Sequence, residues 1–238
     1  MIPGRISNQN GIESEVTIDC REIVLHGTLV IPKQCTGIVL FVHGSGSSRL
    51  SPRNRHVAQV LQAQGIATLL FDLLTRAEES VDQFTAELRF DIPFLAERLL
   101  AATRWARRRP DLQNLAIGYF GASTGAGAAL VAAAKLSTDV GAVVSRGGRP
   151  DLAGDALRSV VAPTLLIVGG NDEPVIAMNK AALAKLKCRE KMLVLIPGAT
   201  HLFEEPGTLD EVARVAAAWF SQHLTTARED RVSAGHQG

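Results

Sequence analysis

The sequence predicts an α/β fold, with a mostly parallel eight-stranded sheet that has helices on both faces. Short β-rich runs alternate with longer amphipathic stretches, a pattern typical of β–α–β units. With 238 residues, 46% of them hydrophobic, the chain is large enough to bury one sizeable core. Its 25 Lys and Arg nearly balance 24 Asp and Glu, so charge gives no reason to expect a nucleic acid or a membrane as partner.

The elements follow from runs of apolar residues and from capping signals. The first two strands are separated by two residues, too few for a crossover, so they should pair as an antiparallel hairpin at one edge. The predicted strands are 15–20, 23–31, 37–42, 66–71, 115–120, 141–145, 164–168 and 192–196. The predicted helices are 52–64, 82–109 with a break near Pro93, 124–135, 174–187 and 209–224, the last opening with a capping box from Thr208 to Glu211.

One domain accounts for residues 1–225, and the aperiodic segment 226–238 is predicted to be a flexible tail. The cysteines, Cys20, Cys35 and Cys188, share no metal-ligand spacing, so no metal site is predicted, and their odd number fits a reducing compartment. The first 15 residues contain no apolar run of the kind found in signal peptides. The expectation is a soluble cytoplasmic protein, and the sequence does not indicate an oligomeric state.

A strand-to-helix turn carries the first chemical signal, Gly121-Ala-Ser123-Thr-Gly125. The pattern G-x-S-x-G in this context describes a nucleophile elbow, in which glycines two residues to either side permit a sharp turn and the serine is strained and exposed. Ser123 is therefore the candidate nucleophile. The alternative is an ordinary serine that caps a helix.

A serine hydroxyl needs a base, and the base needs an acid that orients it. Asp172 follows one predicted core strand and His201 follows the next. The order Ser123, Asp172, His201 is that of the α/β-hydrolase fold. Glu173 is a less favoured alternative for the acid.

The loop His43-Gly-Ser45-Gly-Ser-Ser follows a buried strand and is the candidate oxyanion loop. We expect one backbone N–H from Thr124, after the nucleophile, and one from Ser45. His43 is expected to shape this loop. A dinucleotide-binding alternative fails because Arg49 occupies the position of the third glycine.

These motifs, HGSGSS, GASTG, GGNDEPV and GATHLF in that order, resemble those of the α/β hydrolases, and within them the dienelactone hydrolase-like family. The resemblance covers roughly residues 15–224. SPRNRHVA and VVSRGGRPDLAG also resemble a subgroup sometimes fused to a phosphoribosyltransferase, but the acidic-pair phosphoribosyl pyrophosphate motif is absent from this sequence.

Dienelactone hydrolases proper use a cysteine nucleophile, whereas position 123 is serine. The resemblance therefore implies a cofactor-free serine hydrolase that cleaves a small ester or lactone through an acyl-enzyme. Two alternatives stay open: an acyltransferase or haloperoxidase-like enzyme with the same triad, and a non-catalytic binding protein on this scaffold.

About 17 residues separate the strands that end at Ser145 and begin near Pro163, so no large cap domain is predicted and the site should be open. Four arginines are expected near the same edge and could bind a carboxylate or phosphate of the substrate: Arg146, Arg149, Arg53 and Arg76. The alternative is solvated arginines, or structural pairs with Asp72 and Asp151.

Overall fold

The computed structural model describes residues 5–8 and 11–224, so the predicted tail, 226–238, lies outside the described residues. The strands are β1 Arg5–Asn8, β2 Gly11–Cys20, β3 Ile23–Ile31, β4 Gly37–Val42, β5 Ile66–Phe71, β6 Ala116–Ala122, β7 Val140–Arg146, β8 Thr164–Gly169 and β9 Lys191–Ile196. The helices are α1 Pro52–Ala63, α2 Arg76–Thr85, α3 Ile92–Arg108, α4 Thr124–Leu136, α5 Glu173–Lys185 and α6 Thr208–His223.

The described strands form one sheet in the order β1-β2-β3-β5-β4-β6-β7-β8-β9. Pairing is antiparallel from β1 through β3 to β5 and parallel from there to β9. The predicted α/β-hydrolase fold is confirmed, including the antiparallel hairpin. The one addition is β1, which pairs with β2 and lies outside the hairpin at the sheet edge.

Two hydrophobic layers cover the central strands. In β4 every residue is buried, and alternate side chains face opposite layers. Ile38 and Leu40 pack in the layer formed with α3 and α4, whereas Val39 and Phe41 pack in the layer formed with α1 and α6. Each such side chain contributes about 1.5–3 kcal/mol of transfer free energy, which holds the strand ends in fixed positions.

The helix starts depend on caps that differ partly from the prediction. A capping box joins Thr75 and Glu78, so α2 begins at Arg76, before the predicted start at residue 82. The predicted capping box at the last helix is wrong: Gly207 caps α6 with a left-handed φ of 78°, and the Thr208 hydroxyl donates to the carbonyl of Glu205. A left-handed cap favours glycine, whatever the following residues are.

The carboxyl ends of the parallel strands bring together the loops after β4, β6, β7, β8 and β9. Between β7 and β8, residues 147–163 contain only a kinked 3₁₀ helix, Pro150–Ser159, and no cap domain. Among the described residues, no helix combines the length and apolar character needed to cross a bilayer.

Candidate active site

Ser123 lies in the turn between β6 and α4 with φ 50° and ψ −124°, a conformation that costs a non-glycine residue of order 1–3 kcal/mol. The flanking glycines make this turn possible. A Cβ on Gly121 would lie 2.5 Å from the Ala126 Cα, and one on Gly125 would lie 2.2 Å from the Val42 carbonyl oxygen. The sequence therefore folds into the strained elbow that the motif predicts.

Main-chain hydrogen bonds hold the elbow against the end of β7. The Ser123 N–H donates to the Arg146 carbonyl at 3.2 Å, and the Ser123 carbonyl accepts from the Arg149 N–H at 3.0 Å. Gly147, which follows Arg146, lies against the histidine loop: a Cβ there would lie 3.1 Å from the His201 carbonyl oxygen and 3.7 Å from His201 Cε1. The nucleophile and the histidine thus adjoin neighbouring residues of one loop.

The structure brings Asp172 and His201 together. His201 Nδ1 and Asp172 Oδ2 are 2.7 Å apart, a charge-assisted hydrogen-bond distance. The Asp172 side chain is 12% exposed and that of His201 is 40% exposed. Glu173 is exposed in the first turn of α5, so of the two candidate acids it is Asp172 that contacts His201. With Nδ1–H donated to the carboxylate, Nε2 is left as the basic nitrogen.

The two predicted oxyanion residues contact each other. The Ser45 N–H donates to Thr124 Oγ1 at 2.9 Å, and the Thr124 side chain is buried. A threonine hydroxyl that accepts this bond keeps its own proton for donation. Gly44 is pressed against the nucleophile, since a Cβ there would lie 2.9 Å from Ser123 Cβ. The loop after β4 therefore lies directly beside the elbow.

His43 holds the loop after β4 in place through two contacts of its ring nitrogens. Its Nε2 accepts from the Leu73 N–H at 3.1 Å, and its Nδ1 lies 3.0 Å from the Gly44 carbonyl. Both contacts are satisfied by the neutral ring with the proton on Nδ1, a tautomer assigned from these partners. Burial lowers the pKa of His43 below its ordinary value. His43 thus holds the loop as a neutral residue.

A small cleft, partly open to solvent, adjoins the same loop. Its walls come from residues 43–48, from Leu73 and Leu74, and from α2. The buried Asp82 contributes to the lining with its ion-pair partner Arg89, whose Nε lies 2.6 Å from Asp82 Oδ2. Sequence reasoning missed this pair, because the two residues meet only where the chain turns between α2 and α3.

The four predicted arginines differ in their partners and in their exposure. Arg149 makes a two-pronged contact with Asp151, with Nη2 and Oδ2 2.8 Å apart, and Arg76 is exposed at the start of α2. Arg53 on α1 pairs with Glu204 at 3.2 Å, whereas Arg146 is buried. Asp72, the other acid that was considered, pairs with Arg49.

Comparison with known proteins identifies the family and the fold. The family model described as the dienelactone hydrolase family matches residues 25–227. A crystal structure of a dienelactone hydrolase from Anabaena variabilis is 61% identical, with a TM-score of 0.88, and the match covers 91% of this chain and all of that one. Est1E from Butyrivibrio proteoclasticus is 18% identical with a TM-score of 0.74, over 88% of this chain and 98% of that one, and shares the fold.

Two curated Mycobacterium tuberculosis proteins, from strains CDC 1551 and H37Rv and provisionally named phosphoribosyl transferases, are each 57% identical over 214 residues. The match covers 89% of this chain but 47% of each relative. The chain therefore spans about half the length of the curated relatives it matches.

Proposed function

Because the chain belongs to the dienelactone hydrolase family, we propose that it is a serine hydrolase that cleaves a small carboxylic ester or lactone through an acyl-enzyme. The observation that carries the proposal is the 2.7 Å contact of His201 Nδ1 with Asp172 Oδ2, beside a serine in a strained elbow. An oriented imidazole beside a partly exposed serine is the arrangement that activates a hydroxyl for acyl transfer.

In the first half of the reaction, Ser123 Oγ attacks the substrate carbonyl carbon while His201 Nε2 takes the hydroxyl proton. Asp172 stabilises the imidazolium that forms. The C–O bond to the leaving group then breaks, and the departing oxygen takes the proton from His201. In the second half, water repeats the attack on the acyl-enzyme with His201 as base, which releases the carboxylic acid and restores Ser123.

Negative charge on the carbonyl oxygen requires donors that are already in position. The backbone N–H of Thr124 is the first donor in this proposal. The predicted second donor, the Ser45 N–H, instead donates to Thr124 Oγ1 at 2.9 Å. In this proposal the Thr124 hydroxyl, whose proton that bond leaves available, therefore takes the second donor position in place of the Ser45 N–H. Thr124 and Ser45 thus act as one unit.

We propose a small substrate and a reaction that uses no cofactor. Residues 147–163, between β7 and β8, contain a short 3₁₀ helix and no cap that would enclose a long chain, and the adjoining cleft is small. The name phosphoribosyl transferase belongs to proteins about twice as long. We propose hydrolysis, and not that transfer, for this chain.

The test is hydrolysis of 4-nitrophenyl butyrate and of the lactone dihydrocoumarin, followed with Ser123→Ala. We expect a loss of about a thousandfold or more in kcat for this variant. Ser137→Ala is the matched control, because Ser137 also has a φ of 50° but lies exposed at the far end of α4. Equal activity of Ser123→Ala and wild type would refute the proposal.

Added alcohols distinguish the acyltransferase alternative. If water is the acceptor, 1-butanol or ethanol leaves the yield of free acid unchanged. A new ester that forms in proportion to added alcohol would instead identify transfer as the preferred reaction.

A further inference from the structure

Two arginines meet beside the elbow without a shared counter-charge. Arg146, the last residue of β7, is 8% exposed, and its contact with the Asn54 side chain on α1 is long, at 3.4 Å from Nη2 to Oδ1. Its Nε and Nη1 are buried and have no hydrogen-bond partner in the part of the chain that the structure describes. Arg53, the residue before Asn54, also has a buried, unpartnered Nε.

Such an arrangement is costly unless something completes it. A guanidinium has five N–H donors and no acceptor, and a buried charge without partners loses its hydration without compensation. Burial, together with the positive charge of Arg53, lowers the pKa of Arg146 to about 10. The two like charges therefore destabilise each other, and an anion between them would relieve this repulsion.

The neighbouring arginines show that the chain can pair its cations at this edge. Arg149, three residues after Arg146, is fully engaged by Asp151. Among the described residues, the carboxylate that contacts Arg53 is that of Glu204, whose side chain is 66% exposed and 3.2 Å away. Glu204 is three residues after His201, so this ion pair joins α1 to the histidine loop.

The position of Arg146 connects the cluster to the chemistry. Its carbonyl accepts the Ser123 N–H, and the next residue, Gly147, touches His201. The N-terminus of the 12-residue helix α1, capped by Ser51, lies at the same cluster because Arg53 and Asn54 belong to its first turn. An anion held there would also interact favourably with the helix dipole.

We propose that Arg146 and Arg53 form an anion subsite, with Asn54 as a positioning residue, that holds a carboxylate or phosphate group of the substrate beside Ser123. Its role in catalysis rests on the proposed hydrolase function, but its capacity to bind anions does not. A carboxylate or phosphate oxygen pair matches the fork of a guanidinium and would supply the acceptors that the buried Nε and Nη1 of Arg146 lack. Glu204 competes for Arg53 and must be displaced when the anion enters.

Direct binding is the first test. Calorimetric titrations of the full chain with acetate and with inorganic phosphate report whether carboxylate or phosphate is preferred. We expect Arg146→Met and Arg53→Gln each to weaken binding of the preferred anion by about tenfold or more. Glu204→Gln should tighten it, because the competing carboxylate is removed, an effect that a purely structural role would not produce.

Arg214→Gln is the control for net charge. Arg214 is exposed on α6 and pairs with Glu211, so its loss should leave anion binding unchanged. If Arg146→Met does not fold, Arg53→Gln and Glu204→Gln decide the question. Absence of binding by the wild type to either anion, or equal binding by wild type and Arg53→Gln, would overturn the subsite.

Kinetics then connect the subsite to the reaction. The probes are 4-nitrophenyl hexanoate and the mono-4-nitrophenyl ester of adipic acid, which differ at the end of a six-carbon acyl chain. We expect the adipate ester to have the higher kcat/KM, and Arg53→Gln to reduce this preference by about tenfold while changing the hexanoate rate little. Anion binding without hydrolysis of either ester would refute the hydrolase function and leave the subsite intact. Hydrolysis without anion binding or carboxylate preference would refute the subsite and leave the hydrolase function intact.

Discussion

Two groups of charges adjoin Ser123, and they differ in how they are satisfied. Asp172 and His201 pair at 2.7 Å, whereas Arg146 and Arg53 carry like charges and keep buried nitrogens without partners. The paired group fixes the orientation of a side chain that has to transfer protons. The arginine group, in which Arg53 contacts Glu204 and Arg146 contacts no carboxylate among the described residues, costs stability, which is typical of a site whose partner is a ligand. In our proposal the first region orients reacting atoms and the second selects what binds.

The largest expected effect concerns the paired group. Asp172→Asn keeps the shape of the acid but no longer stabilises an imidazolium, so kcat should fall by about a thousandfold or more. Glu173→Gln, one residue later on the exposed surface, should change kcat by no more than about twofold. The measurement is steady-state hydrolysis of 4-nitrophenyl butyrate. A larger loss in Glu173→Gln than in Asp172→Asn would reverse the assignment of the acid.

The link between the oxyanion loop and the elbow should show a smaller effect. Thr124→Val removes the acceptor of the Ser45 N–H, so we expect kcat to fall by about tenfold or more with little change in KM. Thr124→Ser keeps the hydroxyl and should restore most of the rate. A rise in kcat for Thr124→Val would show instead that the hydroxyl competes with the oxyanion for the Ser45 N–H.

The arginine group of Arg146 and Arg53 should affect the thermal stability of the protein. Arg146→Met replaces a buried, unpartnered charge by an apolar chain, and we expect stabilisation of about 1 kcal/mol, or a few degrees in Tm. Melting should be measured in a buffer free of phosphate and carboxylates, because a bound anion stabilises the wild type alone. A Tm several degrees below that of wild type in this buffer would mean that Arg146 is a structural residue with partners of its own.

The smallest expected effect is on acid stability and concerns His43. Its pKa is lowered in the folded state, so the unfolded chain, with an ordinary histidine pKa of about 6.5, binds the proton more readily. Folding stability should therefore fall as pH drops below about 6.5, by at most about 1.4 kcal/mol per pH unit. In His43→Gln the difference in unfolding free energy between pH 7 and pH 5.5 should shrink. An unchanged difference would show that other groups cause the dependence.

The sequence was sufficient to predict most of the fold, because the central strands are continuous apolar runs whose burial determines their place. β1 was missed since Arg5–Asn8 carries no such run and is held by backbone pairing to β2. The pattern Thr-x-x-Glu occurs at Thr75 and at Thr208, and only the first forms a capping box. Which of them caps a helix depends on the backbone that precedes it, and this is a tertiary property.

The candidate site, like the fold, could be predicted from the sequence only in part. The elbow, the acid and the histidine follow from local motifs at strand ends, and the structure brings Asp172 and His201 into contact. The ion-pair partners of the arginines could not be predicted from the sequence. Arg149 pairs with a residue two positions away along the chain, whereas Arg53 pairs with one 151 positions away. Charge pairing across such separations depends on how the helices dock on the sheet.

The central claim is that Ser123 is a nucleophile activated by His201. Labelling with a fluorophosphonate, mapped by mass spectrometry on wild type and on His201→Ala, tests it most directly. The account predicts one label per chain on Ser123 in the wild type and a collapse of the labelling rate in His201→Ala. A folded wild type that takes no label, or an undiminished rate in His201→Ala, would contradict it.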